Sequence, residues 1–325
     1  MERDLEALKQ MQAFVDGVDE KLRCSFQSMH QGYPLETLER FLQAREGNVL
    51  KANKMLLDCL NWRASNRIDD ILSKVITPND VIRDSQLIGF SGFCKKGRPV
   101  FVLGVGRSGY DRAPLDKYVK SHIQLNEYRD RVLLPEATKH FGRYVGSCLK
   151  ILDMTGLKLS SLHRLKILTA ISTVDDLNYP EKTDAYYIVN APFVFTACWK
   201  AVKPLLQERT KRKVQVLHGC GRDELLKVMD QNTIPQFCRL SSKELAKQKD
   251  PSLDMKVNYF SPSHPFHLQL CKYIEQRTVM GRPLGHVPQP SFCVTFPEPD
   301  DDSTEVVHVI ESTLERLAAA KKGMV

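Results

Sequence analysis

The chain has 325 residues, 42% hydrophobic and 26% charged, enough for one large α/β domain with helical additions. Its formal charge is +8, and the last 30 residues hold seven acids against three bases, so the body before them is the basic part. No apolar run approaches the roughly 20 residues that span a bilayer, and the charged start MERDLEALKQ excludes a signal peptide, so a cytoplasmic protein is expected.

Nine cysteines stand singly with no C-x-x-C pair, which points to reduced thiols and away from zinc or a dithiol redox site. A basic body suits anionic lipid or nucleic acid, and equally a solvated surface.

Residues 4 to 28 read as one helix, with Leu5, Leu8, Val15, Val18 and Leu22 on a stripe. Gly32-Tyr33-Pro34 breaks it, and LETLERFLQAR (35–45) follows. Gly47-Asn48 makes a turn, Asn48 is a candidate N-cap, and VLKANKMLLDCLNWR (49–63) is the next helix. This helical region is amphipathic and needs a larger body to dock on.

Near residue 97 the pattern changes. VFVLGV (100–105), CLKILDM (148–154), AYYIVNA (185–191) and KVQVL (213–217) read as strands. Residues 114–141, 162–172, 193–206 and 222–230 read as helices between and after them. This alternation predicts βαβ crossovers and a largely parallel sheet. Residues 241–300 are irregular and rich in proline, with PSFCVTF a candidate short strand. Ser303 is a candidate cap for a final helix over 304–320.

Enzyme signatures fail on context. Gly104, Gly106 and Gly109 have G-x-G-x-x-G spacing after a strand, but Tyr110-Asp-Arg-Ala-Pro114 is no helix start, so no dinucleotide site is expected. Neither a P-loop, an H-E-x-x-H nor a G-x-S-x-G motif occurs. His218-Gly-Cys220 reads as a loop at a strand end. His264 and His267 flank Pro265-Phe266 in a loop, and two donors do not close a metal site. No catalytic residue, metal or cofactor is expected.

The informative run is Tyr179-Pro-Glu-Lys-Thr-Asp-Ala-Tyr-Tyr-Ile-Val-Asn-Ala-Pro192 and the helix after it. Phe193, Phe195, Trp199, Val202, Leu205 and Leu206 wrap that helix almost completely. Such a helix is normally buried, and it also suits one face on a sheet and another on a removable apolar ligand. Together FLQAREGNVLKANKMLLDCLNWR, GRPVFV, KILDMTGLKLSSL and NYPEKTDAYYIVNAPFVFTACWKAVKPLL resemble, in order and spacing, the CRAL-TRIO family in its Sec-fourteen-like phosphatidylinositol-transfer branch.

The resemblance implies a mixed, largely parallel sheet as the floor of an apolar lipid pocket, closed by a helical gate at 193–206. It implies a helical region over 1–75, a lipid-binding domain over 76–245 and an extension over 246–325. Arg45, Glu181 and Lys213 match the branch's inositol phosphate ligands, with Thr210 beside them. Two cations suit a phosphodiester, and a carboxylate accepts from inositol hydroxyls. For a second lipid, phosphatidylcholine, the branch uses a serine and threonine two apart on a strand and a tyrosine on the first strand. Here Ser147, Leu149 and Phe101 stand at the matching positions, so two hydroxyls are missing and the second lipid is left open.

The function expected is binding and transfer or presentation of phosphatidylinositol without bond-breaking chemistry, the bound phospholipid being ligand and not cofactor. Expected partners are that lipid, a second lipid, anionic membranes met transiently through Lys200, Lys203, Arg209, Lys211 and Arg212, and a phosphoinositide kinase. A monomer is expected, and nucleic acid is not. The alternatives are a carrier of another hydrophobic ligand, or a protein-binding adaptor with a structural lipid.

Overall fold

In the computed structural model, the apolar stripe at the N-terminus is split between two helices, α1 (Glu2–Asp16) and α2 (Glu20–His30). Residues 2–76, 79–158, 165–206, 208–239, 259–280, 294–295 and 301–322 are described. The single helix read over 4–28 breaks because Asp19 caps α2, its carboxylate accepting from the Leu22 N–H at 2.9 Å. Asn48 caps α4 (Val49–Ser65) as expected, accepting from Lys51 N–H at 3.0 Å. With α3 (Pro34–Ala44) these helices enclose Met11, Phe26, Leu38, Phe41, Leu56 and Leu60, all buried.

A 3₁₀ turn (Ile68–Ser73) and α5 (Asn79–Ser85) lead into a five-stranded sheet in simple order. Its strands are β1 (Ile88–Phe93), β2 (Pro99–Leu103), β3 (Cys148–Asp153), β4 (Thr183–Val189) and β5 (Val214–Val216). β2 to β5 are parallel, and β1 is antiparallel to β2 with a bulge between Phe90 and Gly92. The sheet is therefore mixed and largely parallel, as read. Strand β1 is an addition.

The crossover from β2 to β3 is α6 (Leu115–Tyr128), a π turn (Arg129–Leu133) and α7 (Leu134–Phe141). Then come α8 (Leu165–Asn178), α9 (Phe193–Val202), α10 (Glu208–Lys213), α11 (Arg222–Val228) and α12 (Gln236–Arg239). Lys213 thus closes a basic helical turn and does not open the strand. Helix α9 stops at Val202 and passes into a 3₁₀ turn (Lys203–Leu205), because Pro204 removes a helical donor.

Both sheet faces are covered. Val100, Val102, Leu149 and Ile151 pack against Leu225, Met229 and Ile234. Phe101 and Cys148 share the opposite cluster with Ile123, Tyr128 and Phe266. Phe266 belongs to α13 (Pro265–Met280), which occupies part of the region read as irregular. Pro265 is its first residue, so His267 is helical and not in a loop. Phe266, Leu270 and Ile274 recur every four residues and are buried on this face. Val294 and Thr295 are not in a strand, and the rest of PSFCVTF lies outside the described residues. The last helix, α14, runs Asp301–Lys322, so it starts before Ser303, which lies within its first turn.

Candidate functional site

Three of the expected headgroup residues meet at the amino ends of the parallel strands. Glu181 lies just before β4 and Lys213 just before β5, and Lys213 Nζ is 2.6 Å from Glu181 Oε2. Arg209 Nη1 approaches Glu181 Oε1 at 3.5 Å. Thr210 lines the same cleft, of about 90 Å³. Arg45 joins the cluster through a shared acceptor, since Arg45 and Arg209 both donate to the Ala44 carbonyl, at 3.1 and 2.6 Å. Arg209, read from sequence only as part of a basic surface, is a member of this cluster.

Local chain geometry fixes Glu181. Tyr179-Pro180 ends α8, and Glu181 follows in the left-handed region at φ 57°. A non-glycine residue there is uncommon and costs of order 1 kcal/mol. The turn is pinned from below by the buried Tyr179, whose hydroxyl donates to Glu127 Oε1 at 2.7 Å.

Beneath the cleft lies a buried ionic network. Arg63, 1% exposed, donates to both Glu127 oxygens at 2.8 and 3.0 Å and to Asp69 at 2.6 Å. Arg131 adds 2.7 Å to Glu127. Burial opposes ionisation of Glu127, but Arg63 and Arg131 override it and hold the carboxyl at about 2. This network ties the N-terminal helices to α6 and the π turn.

A second group comprises Asp175 with His122 at 2.7 Å, Lys150 at 3.1 Å and Asn126 at 2.7 Å. Despite burial, the His122 and Lys150 partners keep Asp175 below the usual carboxylate range. Arg129 and Lys182 line the cleft from this buried side. Arg129 Nη2 has no hydrogen-bond partner among the described residues. Burial, and next the charge of Arg40, lower the Lys182 amine to about 7, opposed by Asp130 at 3.3 Å.

Sequence reading missed Arg129 and Lys182. Acids and bases in a helical stretch read as a solvated face, whereas residues 118–130 are buried without interruption.

The three second-lipid positions do not converge. In the β2–β3 ladder Val100 pairs with Leu149 and Phe101 with Lys150. Leu149 therefore faces the α11 side, and Phe101 faces the side of α6 and α13. Ser147 lies before β3 and lines a polar groove with Arg40, Arg98 and Tyr144 that also reaches Glu181 and Lys213. The residues two apart on the Phe101 face are Cys148 and Lys150, and Lys150 is held by Asp175.

Helix α9 carries the apolar residues read as a gate. Phe195 and Trp199 stack with ring centroids 6.3 Å apart. Only Val202 of the helix is buried; Phe193 is 77% exposed, and Phe195 and Trp199 are half-buried. Beyond it Leu205 is exposed and Leu206 half-buried. An all-round apolar helix with one buried side chain has apolar surface left to cover.

The glycine loop serves packing. The N–H groups of Gly106, Arg107, Ser108 and Gly109 all donate to carbonyls of the chain, those of Asp153, Gly104 (twice) and Ser85. None is left to cradle a phosphate. A Cβ on Gly106 would collide with the Thr155 and Met154 carbonyl oxygens. Among the described residues no group of His, Cys, Asp or Glu is arranged to hold a metal, and no helix is long and apolar enough to cross a membrane.

Residues 83–238 match the CRAL/TRIO domain family. The chain is 27% identical over 215 residues to phosphatidylinositol/phosphatidylcholine transfer protein SFH9 of Arabidopsis thaliana, covering 64% of this chain and 37% of that protein. It is 33% identical over 220 residues to Protein real-time of Anopheles gambiae, covering 65% of this chain and 32% of that one. It thus spans about a third of the length of these relatives. The crystal structure of Sfh5 superposes with a TM-score of 0.58 at 17% identity, covering 87% of this chain and 99% of that chain, a likeness of fold. From the domain match and these relatives, residues 83–238 are a CRAL/TRIO domain similar to those of the Sec-fourteen-like transfer proteins.

Proposed function

We propose that this chain binds phosphatidylinositol and carries it between membranes or presents it at their surface, without bond-breaking chemistry. The observation that carries the reading is the cluster of Lys213, Arg209 and Glu181 at 2.6 and 3.5 Å, with Arg45 one carbonyl away. Lys213 and Arg209 offer a phosphodiester charge-assisted bonds, and Glu181 offers inositol hydroxyls an acceptor. The relatives named as phosphatidylinositol/phosphatidylcholine transfer proteins support the same substrate class.

In this reading α9 is the gate, and its uncovered apolar side chains meet acyl chains, which gain about 0.8 kcal/mol per buried CH₂. The 76–245 boundaries of the lipid domain rest on the same reading. So do a monomeric carrier, transient residence at anionic membranes and delivery to a phosphoinositide kinase. The second lipid stays open in this reading, since Leu149 and Phe101 face opposite sides of the sheet.

The test is mass spectrometry of lipids that co-purify with the wild type and with Glu181→Ala and Lys213→Ala variants. Phosphatidylinositol enriched in the wild type and depleted in both variants is expected. A different lipid, unchanged by either substitution, overturns the inositide assignment.

A further inference from the structure

Helix α14 lies along α9 and reaches α8. With 22 residues it is about 33 Å long, more than twice the length of the ten-residue α9. Val306, Ile310, Leu314 and Leu317 recur at spacings of three and four and form one apolar stripe. Thr313 and Leu314 are buried, at 7% and 8% exposure, while Val306, Ile310 and Leu317 are half-buried.

The charges are complementary. Residues 193–213, from α9 through α10, hold six bases and one acid. Residues 301–315 of α14 hold five acids and no lysine or arginine. An apolar stripe on an acidic helix offers the α9 region the two things an anionic bilayer offers, an apolar phase and negative charge.

We propose that α14 is an intramolecular stopper over the gate, and that an anionic membrane surface displaces it. The proposal rests on the reading of α9 as gate and membrane-facing element. While α14 is docked, α9 swings only if α14 moves with it. Of the α14 side chains described, only Thr313 and Leu314 are buried, so the contact is shallow. Its opening lies at the low end of the chain's local unfolding energies. Membrane and stopper compete for one surface, which makes lipid exchange conditional on contact with a suitable bilayer.

The experiment uses the full chain and phosphatidylcholine vesicles with or without phosphatidylserine, and no phosphatidylinositol, so its outcome is independent of headgroup capture. The Ile310→Glu/Leu314→Glu variant is expected to bind the anionic vesicles about tenfold more tightly than the wild type, the factor for a surface free about a tenth of the time. Hydrogen exchange of the wild type supplies the second reading, which does not depend on how the variant folds. Amides of α14 are expected to exchange faster on addition of anionic vesicles and not of neutral ones. Vesicle binding that is unchanged in the variant overturns the proposal. So does binding that falls, or α14 amides that become protected, since either would make α14 the anchor and not the stopper.

Discussion

Replacing Lys213 by alanine separates a binding role from a structural one. Its amine pairs with Glu181 at 2.6 Å, with side chains 25% and 18% exposed. A pair this accessible to water contributes at most about 1 kcal/mol to folding. With an unfolding entropy of about 2.1 cal/mol/K per residue, the melting temperature should fall by less than about 2 °C. A charge-assisted bond from the same amine to a lipid phosphate is worth about 1.5–3 kcal/mol. Its loss weakens phosphatidylinositol binding by about 10- to 150-fold. The lower end is expected, because Glu181 competes for Lys213 before the lipid arrives. Quenching titrations with a fluorescent phosphatidylinositol, run beside thermal melts, read both quantities. Affinity within twofold of the wild type would refute the headgroup assignment. A fall of more than 5 °C accompanying lost binding would show that Lys213 holds the fold.

Three further outcomes follow from the buried groups. Glu127→Gln leaves Arg63 and Arg131 sharing Asp69, and should cost about 3 kcal/mol in urea unfolding, the low end for a broken buried pair. Because the Glu127 carboxyl is held at about 2 against an ordinary 4.5, its contribution is complete above pH 4.5 and is lost as pH falls towards 2. At about 1.4 kcal/mol per unit this is about 3 kcal/mol, so the wild-type advantage over Glu127→Gln should shrink through that window. Stability curves that stay parallel from pH 5 to 3 would contradict this. Leu149→Thr, buried beside Leu225 and Met229, should cost about 1–3 kcal/mol and leave lipid selectivity unchanged in a competition assay. Gly106→Ala drives a methyl into the Thr155 and Met154 carbonyls and should lower the melting temperature, measured by scanning fluorimetry, by the equivalent of about 1–3 kcal/mol.

The strongly periodic segments were legible in the sequence. The alternation in β2, β3 and β4 and the capped repeat of α4 survive in the structure nearly residue for residue. Strand β1 was not legible, because IGFSGF carries two glycines and a bulge. Helix α13 was hidden by neighbouring prolines, although Phe266, Leu270 and Ile274 carry its period. Helix α10, ERTKRK, has no apolar residue, so Lys213 read as the start of the strand that follows.

For the candidate site, Glu181, Lys213 and Thr210 were singled out by resemblance, and their meeting needed the parallel pairing of β4 with β5. The second-lipid positions show a limit of another kind. Alternation reveals that each strand has two faces, but only the register of Val100 with Leu149 and Phe101 with Lys150 reveals which faces coincide. Burial of Glu127, Arg129 and Lys182 was also unreadable, because isolated charges on a helix or turn look solvated until their partners from distant segments are in place.

Transfer of labelled phosphatidylinositol from donor to acceptor vesicles tests headgroup capture most directly. The full chain should accelerate transfer well above the spontaneous rate, and a Glu181→Ala/Lys213→Ala variant that keeps its fold should return it close to that rate. No acceleration by the folded wild type, or acceleration undiminished in the double variant, would contradict a phosphatidylinositol carrier built on these residues.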